Sequence, residues 1–320
     1  MNYLVTGGAG FIGSTLSNKL LLEGHSVTVI DDLSMGKKQN LISNKDLKFI
    51  EGSVLDDELM DKMLSTETFD YIYHLAAIAS VADSVERPLE THHVNYDSVL
   101  KLLLLVKEKQ KSIKKFVFAS SAAVYGDCIE LPKRENSEIK PLTQYAVDKY
   151  AAERTVVNFA HLYGVPTVAT RFFNVYGPNQ NPTSPYSGVI SILLDKFMQK
   201  KIVGKAEFKL FGDGEQTRDF IYVDDVVSAL LLVSKKEETT GKVYNVGIGK
   251  EISLNKVITE LENIFQEKIS ILKEPTRKGD INRSFSDNES LVKLGFKAGF
   301  TIEKGLKELV YNLSKQNGSR

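Results

Sequence analysis

Cysteine is nearly absent from this sequence, and neither sign of charge is in excess. Cys128 is the only cysteine among 320 residues, so no intrachain disulfide can form, as is usual for proteins of reducing compartments. A lone cysteine with no metal-like cluster around it is expected to be inert, and we expect no metal site. Lysine plus arginine and aspartate plus glutamate number 41 each, and this zero net charge argues against nucleic acid as a partner.

Long apolar runs are also absent. One of the strongest, residues 102–106, is far shorter than a membrane-spanning helix requires. The segment MNYLVTGGAG contains no basic stretch ahead of an apolar one, so the sequence predicts no signal peptide. With 42% hydrophobic residues the chain can bury a substantial core, and we expect a cytoplasmic protein of one large domain or two smaller ones.

Short apolar runs alternate with longer amphipathic ones in the first half of the chain. This alternation predicts a doubly wound α/β fold, in which helices cover both faces of a parallel sheet and a ligand binds at the carboxyl ends of the strands. The predicted strands are residues 3–6, 26–31, 47–52, 71–76, 115–120 and 167–172. The predicted helices include residues 11–23, 89–108 and 143–163.

The composition changes after about residue 174. Residues 174–188 contain three prolines and two glycines and are predicted to form a loop, as are residues 212–219. We therefore expect two domains. Residues 1–173, with a returning segment at about 220–246, would form the sheet domain, and residues 174–219 and 247–320 would form a smaller mixed α/β domain.

A glycine-rich segment joins the first predicted strand to the first predicted helix. Within LVTGGAGFIG, Gly7, Gly10 and Gly13 fit a GxxGxxG pattern, and Gly8 with the last two also fits GxGxxG. Glycine lets the backbone turn tightly and approach a pyrophosphate, which the helix N-terminus then binds. The strand before this segment and the helix after it favour a dinucleotide site over a plain structural turn.

The second predicted strand ends in acidic residues that indicate which dinucleotide binds. Asp31 lies eighteen residues after Gly13, and Asp32 follows it. A carboxylate at this position accepts hydrogen bonds from the adenosine ribose and repels a 2′-phosphate, so the sequence favours NAD. Lys37 and Lys38 lie close by and leave NADP open.

Two tyrosine–lysine pairs have the spacing that puts both side chains on one face of a helix. Tyr145 and Lys149 follow a buried-looking strand, whereas Tyr311 and Lys315 lie near the end of the sequence without such a strand before them. We therefore interpret the first pair as catalytic and the second as part of a solvated helix face.

The strand that precedes Tyr145 ends in two hydroxyls, Ser120 and Ser121, at the predicted ligand edge of the sheet. A phenol with its usual pKa of about 10 is a poor base. The Lys149 ammonium and a positively charged nicotinamide ring are expected to lower the pKa of Tyr145 into the working range. A serine hydroxyl could then orient the substrate or pass the proton, and Lys149 could also bind the nicotinamide ribose.

These motifs, in their order and spacing, resemble the extended short-chain dehydrogenase/reductases, in particular the UDP-glucose and UDP-N-acetylglucosamine 4-epimerase branch. The similarity extends from residue 2 to about residue 300. It implies a Rossmann domain for NAD and a smaller domain for a nucleotide sugar. The segments that carry it are TGGAGFIG (6–13), DDLSMG (31–36), HLAA (74–77), VNYDSV (94–99), SSAAVYG (120–126), YAVDK (145–149), RFFNVYGP (171–178), GDGEQTRDFIYVDD (212–225) and RKGD (277–280).

The resemblance implies a role for each matching position. Tyr145 would be the general base, with Lys149 as its activator and Ser121 as the hydroxyl partner, while Asn95 would support the active-site network. The cofactor would be bound by Gly7, Gly10, Phe11, Ile12, Gly13, Asp31, Asp32, Ser53, Val54, Leu75, Ala76, Ala77, Asn95, Tyr145 and Lys149. The substrate would be bound by Ser121, Tyr145, Phe173, Asn174, Arg218, Arg277, Asp280 and Ser284.

Two positions differ from residues that are common in the family. One bears on adenine recognition and the other on the choice of sugar. The family often has an acidic residue where this chain has Ser53, which is expected to loosen adenine recognition. Members restricted to plain hexoses tend to carry a bulky tyrosine at the position of Ser284. A small serine there leaves room for a 2-acetamido group, although a tolerant loop residue would look the same in the sequence.

The resemblance implies an NAD-dependent 4-epimerase of UDP-hexoses that also accepts UDP-GlcNAc and UDP-GalNAc, by transient oxidation at C4. An NAD(P)H-dependent reductase of a keto nucleotide sugar and a UDP-glucuronate epimerase or decarboxylase stay open as alternatives. A 4,6-dehydratase is disfavoured because Ala122 and Ala123 stand where relatives of that type carry Asp-Glu. A non-enzymatic NAD-sensing regulator is disfavoured because such proteins tend to lose the catalytic tyrosine or lysine.

The resemblance also implies a homodimer. Each subunit would contribute two helices, those predicted at 89–108 and 143–163, to a four-helix interface. The expected partner is a UDP-sugar substrate, and neither nucleic acid nor a membrane is expected.

Overall fold

The computed structural model describes residues 1–180, 188–276 and 281–318. The strands are β1 (Asn2–Thr6), β2 (Ser26–Asp31), β3 (Leu47–Glu51), β4 (Tyr71–His74), β5 (Lys115–Ser121), β6 (Thr167–Phe172), β7 (Asn174–Tyr176), β8 (Glu207–Phe211), β9 (Thr217–Arg218), β10 (Phe220–Tyr222), β11 (Lys242–Val246), β12 (Ile252–Ser253), β13 (Ser270–Glu274) and β14 (Arg283–Ser284). The helices are α1 (Phe11–Leu22), α2 (Asp57–Thr66), α3 (Val81–Glu86), α4 (Pro88–His92), α5 (Ser98–Lys109), α6 (Gln144–Tyr163), α7 (Val189–Val203), α8 (Val223–Lys235), α9 (Leu254–Phe265), α10 (Glu289–Lys293) and α11 (Ile302–Gly318).

Seven parallel strands form the main sheet, in the order β11-β6-β5-β4-β1-β2-β3. Six of them were predicted from the sequence, and β2 and β6 have the predicted bounds. The seventh, β11, pairs with β6 from Lys242↔Val168 to Val246↔Phe172, so the chain returns to the sheet after leaving it. The arrangement confirms the doubly wound α/β fold and brings the carboxyl ends of the strands to one edge.

Alternate residues of each strand point to opposite faces of the sheet, and a separate apolar core fills each face. Val5 of β1 lies in the core that contains Leu16 of α1 and Leu230 of α8. Its neighbour Leu4 lies in the core that includes Leu103 of α5. Because helices cover both faces, the strands are buried on both sides and appear in the sequence as continuous apolar runs.

A third apolar core lies in the part of the chain after β6. Helices α7, α9 and α11 contribute Leu193, Val257 and Leu306 to it, each with 0% exposure. The pairs β10–β7 and β13–β8 and the three-stranded sheet β12-β9-β14 belong to the same region of the sequence. The domain boundaries drawn from the sequence remain a prediction.

Two segments predicted as loops contain short strands, which corrects the prediction there. Residues Asn174–Tyr176 form β7, which pairs in parallel with β10, and Thr217–Arg218 form β9 between β12 and β14. Proline and glycine density marks both segments as loops, whereas a strand of two or three residues depends mainly on its neighbours. Residues 181–187 lie outside the described residues.

The predicted helices are present with small changes in their bounds. Helix α1 ends at Leu22. Helix α6 begins after Thr143, whose hydroxyl accepts a hydrogen bond from Ala146 N, and ends before Gly164 in the left-handed conformation. The helix predicted at 89–108 is divided, because a π-helical turn at His93–Asp97 joins α4 to α5. Among the described residues, no helix combines the length and apolar character that crossing a membrane requires.

Candidate active site

The glycine-rich loop runs from β1 into α1 and packs tightly against the chain that follows β4. Gly7 has φ +67°, and a Cβ there would lie 2.7 Å from Ala76 N. A Cβ on Gly13 would lie 2.1 Å from Gly7 O. Gly10 precedes α1 without a capping side chain, and the first turn of α1 carries no acidic residue. The helix N-terminus is therefore bare and free of negative charge, which fits the pyrophosphate of a dinucleotide.

Phe11 and Ile12, assigned to the cofactor, form the start of α1. Both are partly buried and pack against the apolar core of the chain after β6. Helix α1, which would bind the pyrophosphate, thus packs both against a core of the main sheet and against the core of the chain after β6.

Asp31 ends β2 and is 7% exposed. Its Oδ2 accepts a hydrogen bond from Ala9 N and its Oδ1 one from Leu33 N, both at 2.9 Å. Burial raises the pKa of this carboxyl, and hydrogen bonds from backbone amides oppose the rise. A Cβ on Gly36 would lie 2.6 Å from Asp31 Oδ1, so the turn approaches the carboxylate closely. Asp31 therefore organises the glycine-rich loop, in addition to the ribose contact predicted for it.

Three further residues assigned to the adenosine end surround Asp31. Asp32 is exposed and accepts hydrogen bonds within its own turn. Gly52 N donates to Asp31 O at 3.1 Å, which places Ser53 and Val54 beside the end of β2. These positions agree with an adenosine site, and their contacts with the cofactor remain predictions.

Leu75, Ala76 and Ala77 follow β4 directly, next to the glycine-rich loop. Asn95 holds the same segment from the π-helical turn, a feature often found at functional sites. It is 1% exposed, its Oδ1 accepts from Ile78 N at 2.9 Å, and its Nδ2 donates to Ile78 O at 3.1 Å. Asn95 therefore supports the segment assigned to the cofactor through Ile78, a residue that sequence reasoning missed.

Ser121 and Tyr145 form the centre of the site at the carboxyl end of β5. Ser121 Oγ accepts a hydrogen bond from Ala123 N at 3.2 Å. It is also hydrogen-bonded to Tyr145, and this bond lowers the pKa of the phenol. A hydroxyl has one donor and two acceptor lone pairs, so Ser121 can accept from Ala123 N and also donate to the phenol oxygen. Such a donor stabilises a phenolate.

Lys149 lies one turn after Tyr145 and is 3% exposed. Its Nζ donates to Ala119 O at 3.0 Å and lies 5.0 Å from the centre of the Phe118 ring. Burial lowers its pKa to about 8, and the negative charge of Asp148 opposes the change. The Lys149 ammonium therefore loses its proton at a much lower pH than an ordinary lysine does.

The lowered pKa expected for Tyr145 depends on a positively charged nicotinamide ring beside the phenol and stays a prediction. Burial raises the pKa of the phenol, and the Ser121 hydrogen bond only reduces the rise. The Lys149 ammonium binds Ala119 O rather than the phenol. Tyr145 is partly exposed, and the loss of hydration around a phenolate there outweighs the serine hydrogen bond.

The second tyrosine–lysine pair has a different environment. Tyr311 on α11 is 54% exposed, and Lys315 Nζ lies 4.5 Å from the centre of its ring. The pair lies on the surface of the helix, as interpreted from the sequence.

Phe173 and Asn174 connect the main sheet to the chain assigned to the substrate. Phe173 is 5% exposed, and its ring lies 6.3 Å from that of Tyr125, in the turn after Ser121. Asn174 is exposed, and its N donates to Asp219 O at 2.9 Å. This connection links the carboxyl ends of β5 and β6 to Asp219, which lies between β9 and β10.

The structure brings together two residues assigned to the UDP-sugar. Ser284 of β14 pairs in register with Arg218 of β9. Arg218 is partly buried, and its Nη1 donates to Thr217 O at 2.8 Å. Arg277 and Asp280, also assigned to the substrate, lie outside the described residues.

Asp219 joins the chain after Arg218 to residues 248–249 and to Ser286, and sequence reasoning missed it. It is 0% exposed, and its Oδ1 accepts from Ile248 N at 2.9 Å. Its Oδ2 accepts from Gly249 N at 3.0 Å and from Ser286 Oγ at 2.6 Å. An aspartate directly after Arg218 and directly before the apolar run of β10 was the available signal.

The chain matches the model of the NAD dependent epimerase/dehydratase family over residues 3–247. It is 35% identical over 316 residues to a putative UDP-glucose 4-epimerase of Methanocaldococcus jannaschii, covering 98% of each chain. Two solved structures are also similar. The UDP-glucose 4-epimerase of Thermotoga maritima, solved with UDP-glucose, has a TM-score of 0.92 and 37% identity, covering 99% of this chain and 100% of that one.

The second structure is a UDP-N-acetylglucosamine 4-epimerase of Methanobrevibacter ruminantium in complex with UDP-N-acetylmuramic acid. It has a TM-score of 0.90 and 37% identity, covering 98% of each chain. The seven-stranded parallel sheet and the glycine-rich loop point to the same family as these similarities do. The chain therefore belongs to the NAD-dependent epimerase/dehydratase family of extended short-chain dehydrogenase/reductases, and its cofactor is NAD.

Proposed function

We propose that the protein is an NAD-dependent 4-epimerase of UDP-hexoses that also accepts the 2-acetamido sugars UDP-GlcNAc and UDP-GalNAc. The observation that carries this proposal is the grouping of Ser121, Tyr145 and Lys149 at the carboxyl end of β5, on the same sheet edge as the glycine-rich loop. The named relatives with similar folds include 4-epimerases of both sugar types, which supports the same chemistry here.

The side chains divide the work of moving one proton. Tyr145 takes the proton of the 4-hydroxyl when C4 is oxidised and returns it when C4 is reduced. Ser121, oriented by Ala123 N, donates to the phenol oxygen while it carries negative charge. The Lys149 ammonium supplies positive charge in a buried setting, where its field is weakly screened. NAD, when bound, supplies hydride transfer at C4 in both directions.

The nucleotide end would hold the substrate while the sugar turns. Arg218 can donate charge-assisted hydrogen bonds to the diphosphate from β9. Ser284, its register partner, presents a small side chain at the sugar end. Strong binding at the diphosphate and weak binding at the sugar is what inversion at C4 requires, because both faces of the keto sugar must meet the cofactor.

A homodimer in the cytoplasm is part of the proposal. The helices assigned to the interface, α4, α5 and α6, carry exposed apolar side chains. Leu89, Leu104 and Val147 are 67%, 47% and 43% exposed. Light scattering of the purified protein tests the subunit number.

The function is tested with UDP-Glc, UDP-Gal, UDP-GlcNAc and UDP-GalNAc, each with NAD, followed by NMR of the anomeric protons. The proposal expects interconversion within both pairs without net consumption of NAD. Denaturing protein purified without added cofactor should release NAD. A cofactor-free preparation that turns over a keto sugar only with NADPH would instead identify a reductase.

Ser284→Tyr is expected to lower turnover of UDP-GlcNAc by about ten- to 100-fold, because a bulky ring occupies the room proposed for the acetamido group. Turnover of UDP-Glc should change by less than about threefold. Ser270→Tyr, an exposed serine on β13, is the matched control and should leave both rates unchanged. Equal losses with both sugars would remove Ser284 from sugar selection.

The rate is expected to fall as pH rises above about 8, where Lys149 loses its proton. Its folded-state pKa lies below the ordinary 10.5, so the unfolded chain binds more protons between these values. Folding stability should therefore rise as the pH increases from about 8, while activity falls. The rate and the thermal unfolding, measured from pH 6 to 10, check both expectations. Lys149→Met should remove the rise of stability with pH. A rate that stays constant to pH 10 would contradict the role of the ammonium.

A further inference from the structure

Helix α6 contacts strand β5 through three side chains spaced four residues apart, Tyr145, Lys149 and Glu153, which share one face of the helix. Tyr145 and Lys149 bond the residues on either side of Ser120. Ser120 itself donates its hydroxyl to Glu153 Oε2 at 2.7 Å. Three consecutive strand residues are thus bonded by three successive turns of the helix.

Glu153 is not part of the proton transfer proposed above, yet it is completely buried. Its carboxylate forms a two-pronged ion pair with Arg171 of β6, with Nε to Oε2 at 2.8 Å and Nη2 to Oε1 at 2.6 Å. The side chains are 0% and 4% exposed. Such a pair is geometrically rigid, because both ends of the guanidinium fork are engaged.

The other end of Arg171 reaches the turn that follows Ser121. Its Nη1 donates to Tyr125 Oη at 2.8 Å, and Tyr125 Oη donates to Asn245 Oδ1 of β11 at 2.6 Å. Tyr125 ends the 3-10 turn that Ser121 begins. The same ion pair therefore binds the residue before Ser121, through Glu153, and the turn after it, through Arg171.

We propose that Glu153 and Arg171 are a positioning pair that sets where the Ser121 hydroxyl stands relative to the Tyr145 phenol. The pair touches neither group and acts by fixing β5, the turn after it and α6 in one register. This role rests on the proposed function in that Tyr145 is the base. Displacement of reacting groups by about 1 Å can cost about 100-fold in rate, so a pair that prevents it contributes to catalysis.

The discriminating variant is Ser120→Ala. Glu153→Gln leaves the buried Arg171 charge unpaired and destabilises the whole fold, whereas Ser120→Ala removes only the bond between the strand and the pair. Ser234→Ala on α8 is the matched control. Ser234 is also 3% exposed, and its Oγ accepts a buried hydrogen bond of 2.7 Å from Tyr73 Oη. Both variants lose one buried hydroxyl, and only one of them loses it beside Ser121.

Two measurements on the NAD-loaded protein test the proposal. In Ser120→Ala we expect kcat to fall about tenfold with KM within about twofold, since the groups that bind substrate are untouched. The pKa of Tyr145 is measured from absorbance at 295 nm, as the difference between each protein and the same protein with Tyr145→Phe. In Ser120→Ala this pKa should rise by about half a pH unit or more, because the serine donor is less well placed. Ser234→Ala should show neither change, although its melting temperature should fall about as much.

An unchanged titration and kcat in Ser120→Ala, or equal changes in Ser234→Ala, would overturn the positioning role. The titration needs no substrate. If the parent protein converts no UDP-sugar, the proposed function fails, while the titration still decides whether the pair positions the phenol.

Discussion

Tyr145→Phe is expected to lower the rate of UDP-sugar epimerisation by about 1,000-fold, the usual contribution of a general acid–base group. The change removes one oxygen and leaves the packing of the ring in place. The 4-hydroxyl then has no base to receive its proton, and Ser121 cannot replace it, because an aliphatic hydroxyl does not ionise in the working pH range. Anomeric-proton NMR with UDP-Gal measures the loss directly.

The same variant should bind NAD as the parent does, because the glycine-rich loop and Asp31 are unchanged. NAD released on denaturation, per chain, checks this. Tyr311→Phe is the matched control, since Tyr311 also has a lysine four residues later but lies exposed on α11. We expect full activity from it. A Tyr145→Phe protein that epimerises as fast as the parent would remove Tyr145 from the mechanism.

Most of the sheet could be predicted from the sequence because it is parallel and covered on both faces. Strands of that kind are short apolar runs between amphipathic helices, and β2 and β6 were found with the predicted bounds. The short strands β7 and β9 could not be found this way. They have two or three residues and exist because β10, β12 and β14 lie beside them.

The site was predictable where spacing along one element determines it. Tyr145 and Lys149 are one turn apart on α6, so their proximity follows from local structure. Ser121 meets them because α6 packs against β5. The burial that raises the pKa of Tyr145 could not be predicted from the sequence, because it depends on distant parts of the chain. The same limit applies to any buried titratable group whose partners lie on other elements.

The positioning pair shows what the sequence leaves unspecified. Glu153 and Arg171 are 18 residues apart on different elements and meet because β5 pairs with β6 in the register Ser120↔Arg171. Glu153 repeats the four-residue spacing of Tyr145 and Lys149, which was a visible signal. Nothing in the sequence identifies the strand residue that it contacts.

Gly13→Ala is expected to weaken NAD binding by about ten- to 100-fold, which corresponds to an overpacking cost of about 1–3 kcal/mol. The added Cβ would lie 2.1 Å from Gly7 O and 2.7 Å from Gly8 Cα. Both are backbone atoms, and Gly7 is held by a 2.8 Å hydrogen bond from its N to Ile30 O and by its packing on Ala76. The loop and α1 must move apart to make room, which would alter the surface expected to approach the pyrophosphate.

Calorimetric titration of NAD into protein stripped of cofactor measures the loss of affinity, and circular dichroism shows whether the variant is folded. Ser17→Ala on the same helix is the control. Ser17 Oγ is buried and has no hydrogen-bond partner among the described residues, so its removal should leave affinity unchanged and stability equal or higher. A folded Gly13→Ala protein with the affinity of the parent would show that the loop yields without loss. The close approach of α1 to β1 would then not be what prepares the cofactor site.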